Sequence, residues 1–570
     1  MNYFVNTSRV LASQQLRMYS VQKIWLSQYQ PGVPENINLD EYASLVDLFN
    51  DSCKKFRTNS AFSNYGSTLT FADIDKLSTE FAGFLQQSGL VRGDRVAVMM
   101  PNILQYPVVL FGILRAGMVV VNTNPLYTAE EVAHQLNDSG AKAIVILANF
   151  CRTLEKALPH ITLQHIIVTE LGDLFSPLKR YVASFIVRHI KKMIPTYQIP
   201  QAISFRHCFK QKFTKYFTPP KIEQQDIAFL QYTGGTTGIS KGAILTHQNM
   251  LSNLLQAHAW MSPMQISDKD IVVTALPLYH IFSLTANCLT FIKSGCKNIL
   301  ITNPRDISHF VKTIKKSHFS IFTGVNTLFN GLLHHPQFKE IDFSSVKIIL
   351  SGGMALQKII AQQWFDASHT HILEAYGLTE TSPAVTINPL YIETYTGSIG
   401  LPLPSTEISI RDEQGKEVKI GEKGELCVKG PQVMRGYWQR ADETALVFTT
   451  DGYLKTGDIG YMDLKGFIYL VDRKKDMIIV SGFNVYPNEV EQVIAMHPGV
   501  LEVGVVGVPH EISGEIVKAC IVKSDPALTK EDIIEFCRQH LTAYKIPKEV
   551  AFYQELPKSN VGKILRRQLS

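Results

Sequence analysis

From about residue 60 to residue 330, the chain alternates between short apolar runs and stretches whose apolar residues recur at helical spacing. The apolar runs lie at residues 95–99, 143–147, 165–168, 271–274 and 298–301. Runs without polar alternation are typical of strands buried on both faces, as in a parallel sheet covered by helices. The pattern therefore predicts an α/β fold for this part of the chain.

The hydrophobic pattern changes twice in the second half. After Ser398, short strand-like runs such as residues 424–430 are separated by Gly and Pro, which predicts a smaller β subdomain. After Asp476 an α+β pattern resumes, with helices and strands expected near residues 489–496, 503–506, 519–522 and 530–541. The C-terminal part is therefore expected to form a small domain of its own.

The charged run Asp472-Arg-Lys-Lys-Asp476 lies between apolar strands predicted at residues 467–471 and 477–480. A solvated hairpin within one sheet would have this pattern. A linker would have it too, with a large domain at residues 22–472, a hinge at 473–476 and a mobile α+β domain at 477–570. We adopt the linker as the prediction.

Composition narrows the class of protein. The chain of 570 residues is 45% hydrophobic, enough for about three or four folding units. Its net charge of +6 is mild, and no basic block or arginine–aromatic array indicates nucleic acid. The eight cysteines are scattered, without C-x-x-C pairs or His at zinc spacing, so we expect reduced thiols in a cytoplasmic protein.

The most apolar segment, residues 107–121, is too short to span a membrane and carries Arg115 in its middle. It predicts a buried helix followed by a strand at residues 118–121.

The N-terminal segment has an unusual charge pattern. The first 34 residues contain no acidic residue but include Arg9, Arg17 and Lys23, as a transit peptide would. An unstructured extension, or an upstream start codon with Met18 as the true start, explains the same composition. We expect residues 1–21 to be an extension.

Residues 178–193 combine one apolar helical face with basic residues. The apolar positions are Leu178, Val182, Phe185, Ile186 and Met193, and the basic positions are Lys179, Arg180, Arg188, Lys191 and Lys192. Such a helix can rest on an anionic membrane surface, although an ordinary surface helix has the same pattern. Peripheral contact with the inner membrane through this segment is one expectation, and a homodimer is another.

The densest candidate chemistry lies at residues 232–242, which read Tyr-Thr-Gly-Gly-Thr-Thr-Gly-Ile-Ser-Lys-Gly. Glycines let a backbone turn sharply, and successive N–H groups in such a turn bind anions. Hydroxyls and the ammonium of Lys241 add donors for a polyphosphate. The sequence is not a Walker A loop, because Ser240 precedes the lysine and Gly242 follows it. Strand-like flanks at 227–232 and 243–247, with Asn249 as the cap of a following helix, favour a strand–loop–strand clamp over a flexible turn.

Further motifs lie far from this loop in sequence. Tyr376, in Glu374-Ala-Tyr-Gly-Leu-Thr-Glu380, can stack on a purine, and Glu380 can hold Mg²⁺. Asp458 closes a Gly-rich turn and can accept from ribose hydroxyls, with Arg473 within reach of the same sugar or a phosphate. Lys563 follows Gly562 near the C-terminus, where Lys558, Arg566 and Arg567 would otherwise suggest only a basic tail.

In this order and spacing, the loop and these motifs resemble the adenylate-forming superfamily of acyl-CoA synthetases, luciferases and peptide-synthetase adenylation domains. The resemblance covers roughly residues 22–570 and is nearest to the bacterial long-chain fatty acid–CoA ligases. It extends to Asn124-Pro-Leu-Tyr127, Pro277-Leu-Tyr-His-Ile-Phe282 and Thr323-Gly-Val-Asn326. The fold it implies is a large α/β domain with a β subdomain and a small mobile domain.

The resemblance implies two steps that use ATP, Mg²⁺ and coenzyme A. A fatty carboxylate attacks the α-phosphate of ATP, which gives an acyl-adenylate and pyrophosphate, and the thiol of coenzyme A then displaces AMP. Lys563 is the implied catalytic lysine, Glu380 and Thr236 the catalytic metal ligands, and Lys475 the hinge pivot, where other branches carry aspartate. The implied nucleotide-binding residues are Thr233, Gly234, Gly235, Thr236, Thr237, Gly238, Lys241, Tyr376, Gly377, Thr379, Asp458, Arg473 and Gly482.

The resemblance also implies an acyl tunnel. Gly324, Val325, Gly352 and Gly353 correspond to its lining, where small side chains leave room for a long alkyl chain and no Trp closes the path. His280 resembles the aromatic position that borders the acyl carboxylate, and a packed core histidine is equally compatible.

Three other functions remain open at this stage. A fatty acyl-AMP ligase would transfer the acyl group to a carrier protein, but the insertion after Asp476 that marks that branch is not evident. A luciferase-like oxygenase would emit light. A non-catalytic fatty-acid carrier at the membrane would have degenerate ATP motifs, and these motifs are intact.

Overall fold

The computed structural model describes residues 23–233, 240–559 and 561–569. The predicted extension at residues 1–21 and the glycine-rich loop at 234–239 lie outside the described residues.

A seven-stranded sheet forms much of the N-terminal part. Its neighbouring strands are parallel except for the last pair. In spatial order the strands are Ala202–Ser204, His165–Thr169, Ala141–Leu147, Arg95–Met99, Val119–Asn122, Ile227–Thr233 and Lys241–Thr246. The first three predicted apolar runs are strands of this sheet, as expected.

A second sheet has nine strands, parallel in its centre and antiparallel at both edges. The order is Leu401–Pro402, Ala384–Ile387, Ile372–Gly377, Ile348–Ser351, Ile321–Gly324, Ile271–Thr274, Lys297–Leu300, Ser60–Asn64 and Ser67–Thr70. The predicted strands at 271–274 and 298–301 lie here. Both large sheets confirm the predicted α/β class.

Two smaller antiparallel sheets follow. The predicted β subdomain is a four-stranded sheet, in the order Glu407–Arg411, Gly424–Lys429, Leu454–Met462 and Ile468–Arg473. The C-terminal sheet has the order Phe483–Val485, Ile478–Val480, Gly514–Lys523 and Val500–His510, and Glu549–Tyr553 pairs in parallel with Gly514–Lys523.

Helices cover the faces of the sheets. The α-helices are Leu45–Lys55, Phe71–Gln87, Gln105–Arg115, Ala129–Ser139, Cys151–Ala157, Pro177–Phe185, His247–Trp260, Ile281–Ser283, Thr290–Lys293, Ile307–Ile314, Asn326–Leu333, Lys358–Ser368, Ala441–Val447, Pro487–Ala495 and Lys530–His540, with π-type turns at Ile186–Ile190 and Leu284–Leu289. Reciprocal capping boxes fix several starts, for example Thr70 with Asp73 and Thr529 with Asp532.

One predicted cap is displaced. Asn249 was expected to cap the helix after the second loop strand, but the cap is Thr246, whose hydroxyl accepts from the Asn249 N–H. The Asn249 side-chain oxygen accepts from the Thr246 N–H, so Asn249 is the third helical residue of a capping box. The helix therefore starts at His247, immediately after the strand ends.

The charged run at residues 472–476 is only partly a linker. Asp472 and Arg473 are the last residues of strand Ile468–Arg473, paired with Ile459 and Asp458. Residues 474–476 form the turn that leads to strand Ile478–Val480 of the C-terminal sheet. The turn therefore joins two different sheets rather than two strands of one sheet.

Arg115 is the last residue of the buried helix Gln105–Arg115. Its guanidinium donates to the Asp75 carbonyl at 2.6 Å, to the Ser78 hydroxyl at 3.0 Å and to the Asn50 side chain at 2.6 Å. It also pairs with the Asp75 carboxylate and lies 4.8 Å from the centre of the Phe49 ring. A buried arginine is tolerated here because its donors are satisfied.

All eight cysteines are free and buried. Burial raises the pKa of every one of these thiols, for example to about 12 for Cys53 and Cys151 and to about 11 for Cys537. They are therefore protonated at neutral pH. None of the helices in the described part of the chain is long and apolar enough to cross a membrane.

We expect Arg115→Leu to lower the free energy of unfolding by about 2 kcal/mol, because Asp75 and Asn50 lose their buried donor. The matched control is Arg92→Leu, which breaks an exposed ion pair with Asp226 and should cost less than about 1 kcal/mol. Urea unfolding midpoints measure the difference. Equal midpoints for the two variants would show that the Arg115 network contributes no more than a surface pair.

Candidate active site

A cavity of about 1920 Å³ lies where the two large sheets, the four-stranded sheet and the C-terminal region meet. Several parallel strands end at its wall, as ligand sites in α/β folds commonly do. The predicted site residues that line it are Thr233, Lys241, His280, Gly352, Gly353, Tyr376, Gly377, Thr379, Glu380, Asp458, Arg473, Lys475 and Lys563. Motifs far apart in sequence thus meet in one space.

The glycine-rich loop connects an antiparallel hairpin that opens on the cavity. Thr233 and Lys241 are opposite each other at its end. This is the predicted strand–loop–strand arrangement. Gly234, Gly235, Thr236, Thr237 and Gly238 lie outside the described residues, and their roles stay predictions.

Tyr437 connects the loop lysine with the predicted metal ligand. Lys241 pairs with the Glu443 carboxylate and lies 5.6 Å from the centre of the Tyr437 ring. The Tyr437 hydroxyl donates to Glu380 Oε1 at 2.7 Å, and burial raises its pKa, so it remains a donor. Sequence reasoning missed this residue, because its only signal is an aromatic side chain after a glycine.

The Asp458 carboxylate contacts two other predicted nucleotide-binding residues, Tyr376 and Arg473. The Tyr376 hydroxyl donates to Asp458 Oδ2 at 2.6 Å, and Arg473 Nε lies 3.1 Å from Asp458 Oδ1. Asp458 and Arg473 are paired positions on neighbouring strands, which fixes their spacing. Burial and the Asp458 charge raise the pKa of Tyr376, so it stays protonated.

The turn that presents Glu380 requires a glycine. A Cβ on Gly377 would lie 1.9 Å from the Pro383 carbonyl oxygen. The following turn, Thr379–Thr381, holds Glu380 with its carbonyl accepting from the Met434 N–H at 2.7 Å. Close backbone packing therefore sets the direction of the Glu380 side chain.

The donor set at Glu380 fits Mg²⁺. This cation is commonly held by one or two carboxylates together with substrate phosphates. Among the described residues no cluster of three or more His, Cys, Asp or Glu side chains could hold a metal alone. A cation here would therefore be shared between the protein and a bound phosphate.

Lys563 enters the cavity from the C-terminal region on a docked turn. The Thr327 hydroxyl donates to the Gly562 carbonyl at 3.0 Å, and a Cβ on Gly562 would lie 2.6 Å from that hydroxyl oxygen. Gly562 has φ of +84°, which also favours glycine. The Ser559 hydroxyl accepts from the Lys563 N–H at 3.1 Å. Gly562 and Lys563 are therefore packed against Thr327 and do not form a free basic tail.

Burial controls the charge of two groups in the cavity. It lowers the pKa of Lys563 to about 8, helped by the positive charge of Arg473 and opposed by Asp458. It lowers the pKa of His280 to about 4, with a contribution from Lys563. His280 is therefore neutral at pH 7, half-buried and part of the cavity wall, so it has features of both interpretations.

The four predicted acyl-tunnel residues differ in their relation to the cavity, and the tunnel itself stays a prediction. Gly352 and Gly353 line the cavity, but Gly324 and Val325 are not among its lining residues. The open side of Gly324 is filled by the Phe329 ring, 2.7 Å from where a Cβ would lie. Apolar side chains elsewhere in the lining include Ala257, Met261, Ala286, Phe291, Ile321 and Ile348.

Two further predicted residues lie in turns. Lys475 lies in the turn at 474–476 and lines the cavity, with its Nζ 3.8 Å from Asp476 Oδ1, and its role as the pivot stays a prediction. Gly482 connects strands Ile478–Val480 and Phe483–Val485 with φ of +83°, and it is not among the lining residues. In this arrangement the structure does not bring Gly482 to the nucleotide-binding residues.

A buried carboxyl in the wall was not predicted as a site residue. Glu374 is 8% exposed and lines the cavity. Burial raises its pKa to about 8, so the protonated form dominates at neutral pH. Its position at the start of the Tyr376 motif was visible in the sequence, but its burial was not.

Comparisons with known proteins agree with this geometry. The family models "AMP-binding enzyme" and "AMP-binding enzyme C-terminal domain" match residues 49–438 and 489–563. A long-chain-fatty-acid–CoA ligase of Salmonella typhimurium is 55% identical over 550 residues, which cover 96% of this chain and 98% of that protein.

Solved structures show the same fold. The anthranilate CoA ligase AuaEII in complex with anthranoyl-AMP has a TM-score of 0.83 at 23% identity, covering 94% of this chain and 98% of that one. The ATP-bound MatB of Rhodopseudomonas palustris has a TM-score of 0.75 at 27% identity, covering 92% and 98%.

We expect Gly377→Ala to destabilise the protein by about 2 kcal/mol or more, because the added methyl group meets backbone and not a movable side chain. The control is Gly331→Ala in helix Asn326–Leu333, where the methyl group would be in ordinary contact with Ile307 at 3.5 Å. That change should be neutral or stabilising by up to about 1 kcal/mol. Thermal unfolding of both variants measures the change in stability, and an unchanged stability in Gly377→Ala would contradict the packing argument.

Proposed function

The chain belongs to the AMP-binding enzyme family, and we propose that it activates long-chain fatty acids as coenzyme A thioesters, with ATP cleaved to AMP and pyrophosphate. The observation that carries the proposal is the meeting of Lys563, Arg473, Asp458 and Glu380 in one cavity that several apolar side chains also line. Relatives named long-chain-fatty-acid–CoA ligase, 55% identical over nearly the whole chain, support the substrate class.

In the first half-reaction, a carboxylate oxygen bonds to the α-phosphorus of ATP and the bond from that phosphorus to the bridging oxygen breaks. Pyrophosphate leaves, and the product is an acyl-adenylate. Two anions must approach each other, so the Lys563 ammonium and the Lys241 ammonium at the hairpin end stabilise the transition state. When Mg²⁺ is bound at Glu380, it neutralises phosphate charge.

Other residues bind the two substrates. The Asp458 carboxylate is placed to accept from ribose hydroxyls, and Tyr376 offers an aromatic face for the purine. The apolar side chains in the lining suit an alkyl chain, since each buried CH₂ contributes about 0.8 kcal/mol. The neutral His280 adds no charge where the acyl carboxylate would lie.

In the second half-reaction, the sulfur of coenzyme A bonds to the acyl carbon, the carbon–oxygen bond to AMP breaks, and the thiol gives up its proton. Lys563 occupies the cavity in the first step, so the C-terminal region must move to admit the thiol. The turn at 474–476 joins the two parts, and we keep Lys475 as the pivot and the domain limits 22–472 and 477–570 as predictions.

The decisive experiment follows AMP, pyrophosphate and thioester separately with a panel of fatty acids, with and without coenzyme A. Thioester formation only in its presence supports the proposal. Adenylate formation without transfer to free coenzyme A would favour a fatty acyl-AMP ligase. Fatty-acid binding without pyrophosphate release would favour a non-catalytic carrier, and light emission a luciferase-like oxygenase. Homodimer formation stays a prediction that light scattering would test.

We expect kcat/KM for ATP in the first half-reaction to decline as pH rises through about 8, because the free enzyme then loses the charged form of Lys563. Lys563→Arg should move the decline to higher pH, since guanidinium stays protonated. Lys563→Ala should lower pyrophosphate release about 10²–10³-fold. Thioester formation from supplied acyl-adenylate is the control. A parental pH profile in Lys563→Ala would contradict the assignment.

We also propose that residues 178–193 rest on an anionic membrane surface. Every member of the predicted apolar face is exposed, including Leu178 at 77% and Met193 at 56%, as are Tyr181 at 73% and Ile190 at 62%. An ordinary surface helix would bury this face against the protein. Arg188 pairs with Glu170, which attaches the segment to the protein body. A lipid surface with acidic headgroups would cover the apolar face and attract the exposed Lys191 and Lys192.

We expect Lys191→Gln with Lys192→Gln to weaken binding to phosphatidylglycerol vesicles by roughly tenfold to thirtyfold, at about 1 kcal/mol per lysine. Binding to phosphatidylcholine vesicles and activity in detergent should not change. The control is Lys312→Gln with Lys316→Gln, which removes the same charge from another exposed site. Cosedimentation measures both pairs, and equal binding by the two would reject the membrane role.

A further inference from the structure

Arg566 lies between the two parts of the molecule that the turn at 474–476 joins. Its Nη1 lies 3.0 Å from Asp472 Oδ1 and 3.4 Å from Asp476 Oδ2. Its Nε and Nη2 lie 3.0 Å and 2.8 Å from the two carboxylate oxygens of Glu491, and Nη2 also donates to the Asn488 side chain. One guanidinium thus uses most of its donors at this boundary.

The partners of Arg566 belong to different parts of the chain. Asp472 is in the last strand of the four-stranded sheet, and Asp476 is in the turn. Asn488 and Glu491 are on helix Pro487–Ala495, which packs on the C-terminal sheet. If the C-terminal region rotates about the turn, Asn488 and Glu491 move with Arg566, whereas Asp472 stays behind. The bond to Asp472 is therefore specific to the present arrangement.

From these contacts we propose that Arg566 is a positioning residue for the first half-reaction, which holds the C-terminal region against Asp472 so that Lys563 stays in the cavity, and that this bond opens before the thioester step. The proposal rests on the two half-reactions of the proposed function. Arg566 touches neither substrate on this account and acts through Lys563.

Arg566 can act on Lys563 because the two are close along the chain. They are three residues apart, and two backbone hydrogen bonds join this segment to Pro557 and Ser559. The Leu565 N–H donates to the Pro557 carbonyl at 2.8 Å, and the Ser559 N–H donates to the Lys563 carbonyl at 2.7 Å. With Gly562 fitted on Thr327 at the other end, a shift of Arg566 would displace the Lys563 ammonium.

The charges around Arg566 explain why its loss would open the boundary. Asp472 is 3% exposed. Desolvation raises the pKa of Glu491, the negative charge of Asp472 across the boundary adds to the rise, and Arg566 opposes it. Without the guanidinium, these two carboxylates would repel each other where water has little access. Breaking a buried ion pair by removing one partner is costly for this reason.

The test separates the half-reactions in Arg566→Gln and Asp472→Asn. Pyrophosphate release is followed in a single turnover with ATP and hexadecanoic acid, and acyl-CoA yield is measured from pre-formed acyl-adenylate. Both variants should slow pyrophosphate release by about 10²-fold, the usual cost of a displaced catalytic group, and leave the thioester step near the parent rate. Arg566→Lys, which keeps the charge but not the fork, should fall in between.

The matched control is Arg538→Gln, which removes an exposed arginine of the same domain paired with Glu535 and should leave both half-reactions unchanged. Equal losses in both half-reactions by a folded Arg566→Gln would mean a merely structural role and would overturn the proposal. Parental pyrophosphate release in Asp472→Asn would overturn it as well, and this variant decides if Arg566→Gln does not fold. A parent enzyme that releases no pyrophosphate would instead refute the proposed function.

Discussion

The cavity needs a positive charge where water is scarce, and the molecule supplies it from its C-terminal end. Burial of the Lys563 ammonium is unfavourable by itself, which its lowered pKa records. The contacts that hold the lysine there involve other residues of the cavity wall, where Thr327 holds Gly562 and three carboxylates surround Arg566. These contacts hold the C-terminal segment in the position that places the Lys563 ammonium in the cavity.

The two large sheets carry several of the residues that line the cavity. Gly352, Tyr376 and Thr233 all lie at or just beyond the carboxyl ends of buried strands, so their positions are set by a core that changes little. The four-stranded sheet adds Asp458 and Arg473 as neighbouring positions. Substrate recognition is thus built on rigid elements, whereas Lys563 is delivered by a segment held through a few polar contacts.

Much of the fold could be predicted from sequence, because short apolar runs such as residues 95–99 and 271–274, repeated between helical patterns, are typical of strands in a covered sheet. Most of the predicted site residues that the structure describes line one cavity, although their roles stay predictions. The sequence did not show which way an individual residue faces, or which residues far apart in the chain come into contact. The open side of Gly324 faces Phe329 and not the cavity, and no spacing rule distinguishes the two sides of a glycine. Tyr437 meets Glu380, and Arg566 meets Asp472, only through folding, so neither contact has a local signal.

The eight buried cysteines have a consequence for an enzyme that makes a reactive acyl phosphate anhydride. Such an intermediate acylates any accessible thiolate, and the second substrate is itself a thiol. Each of the protein's own thiols is buried and held in its protonated, poorly nucleophilic form. None of the protein's own thiols is therefore available to compete with the incoming cosubstrate for the acyl group.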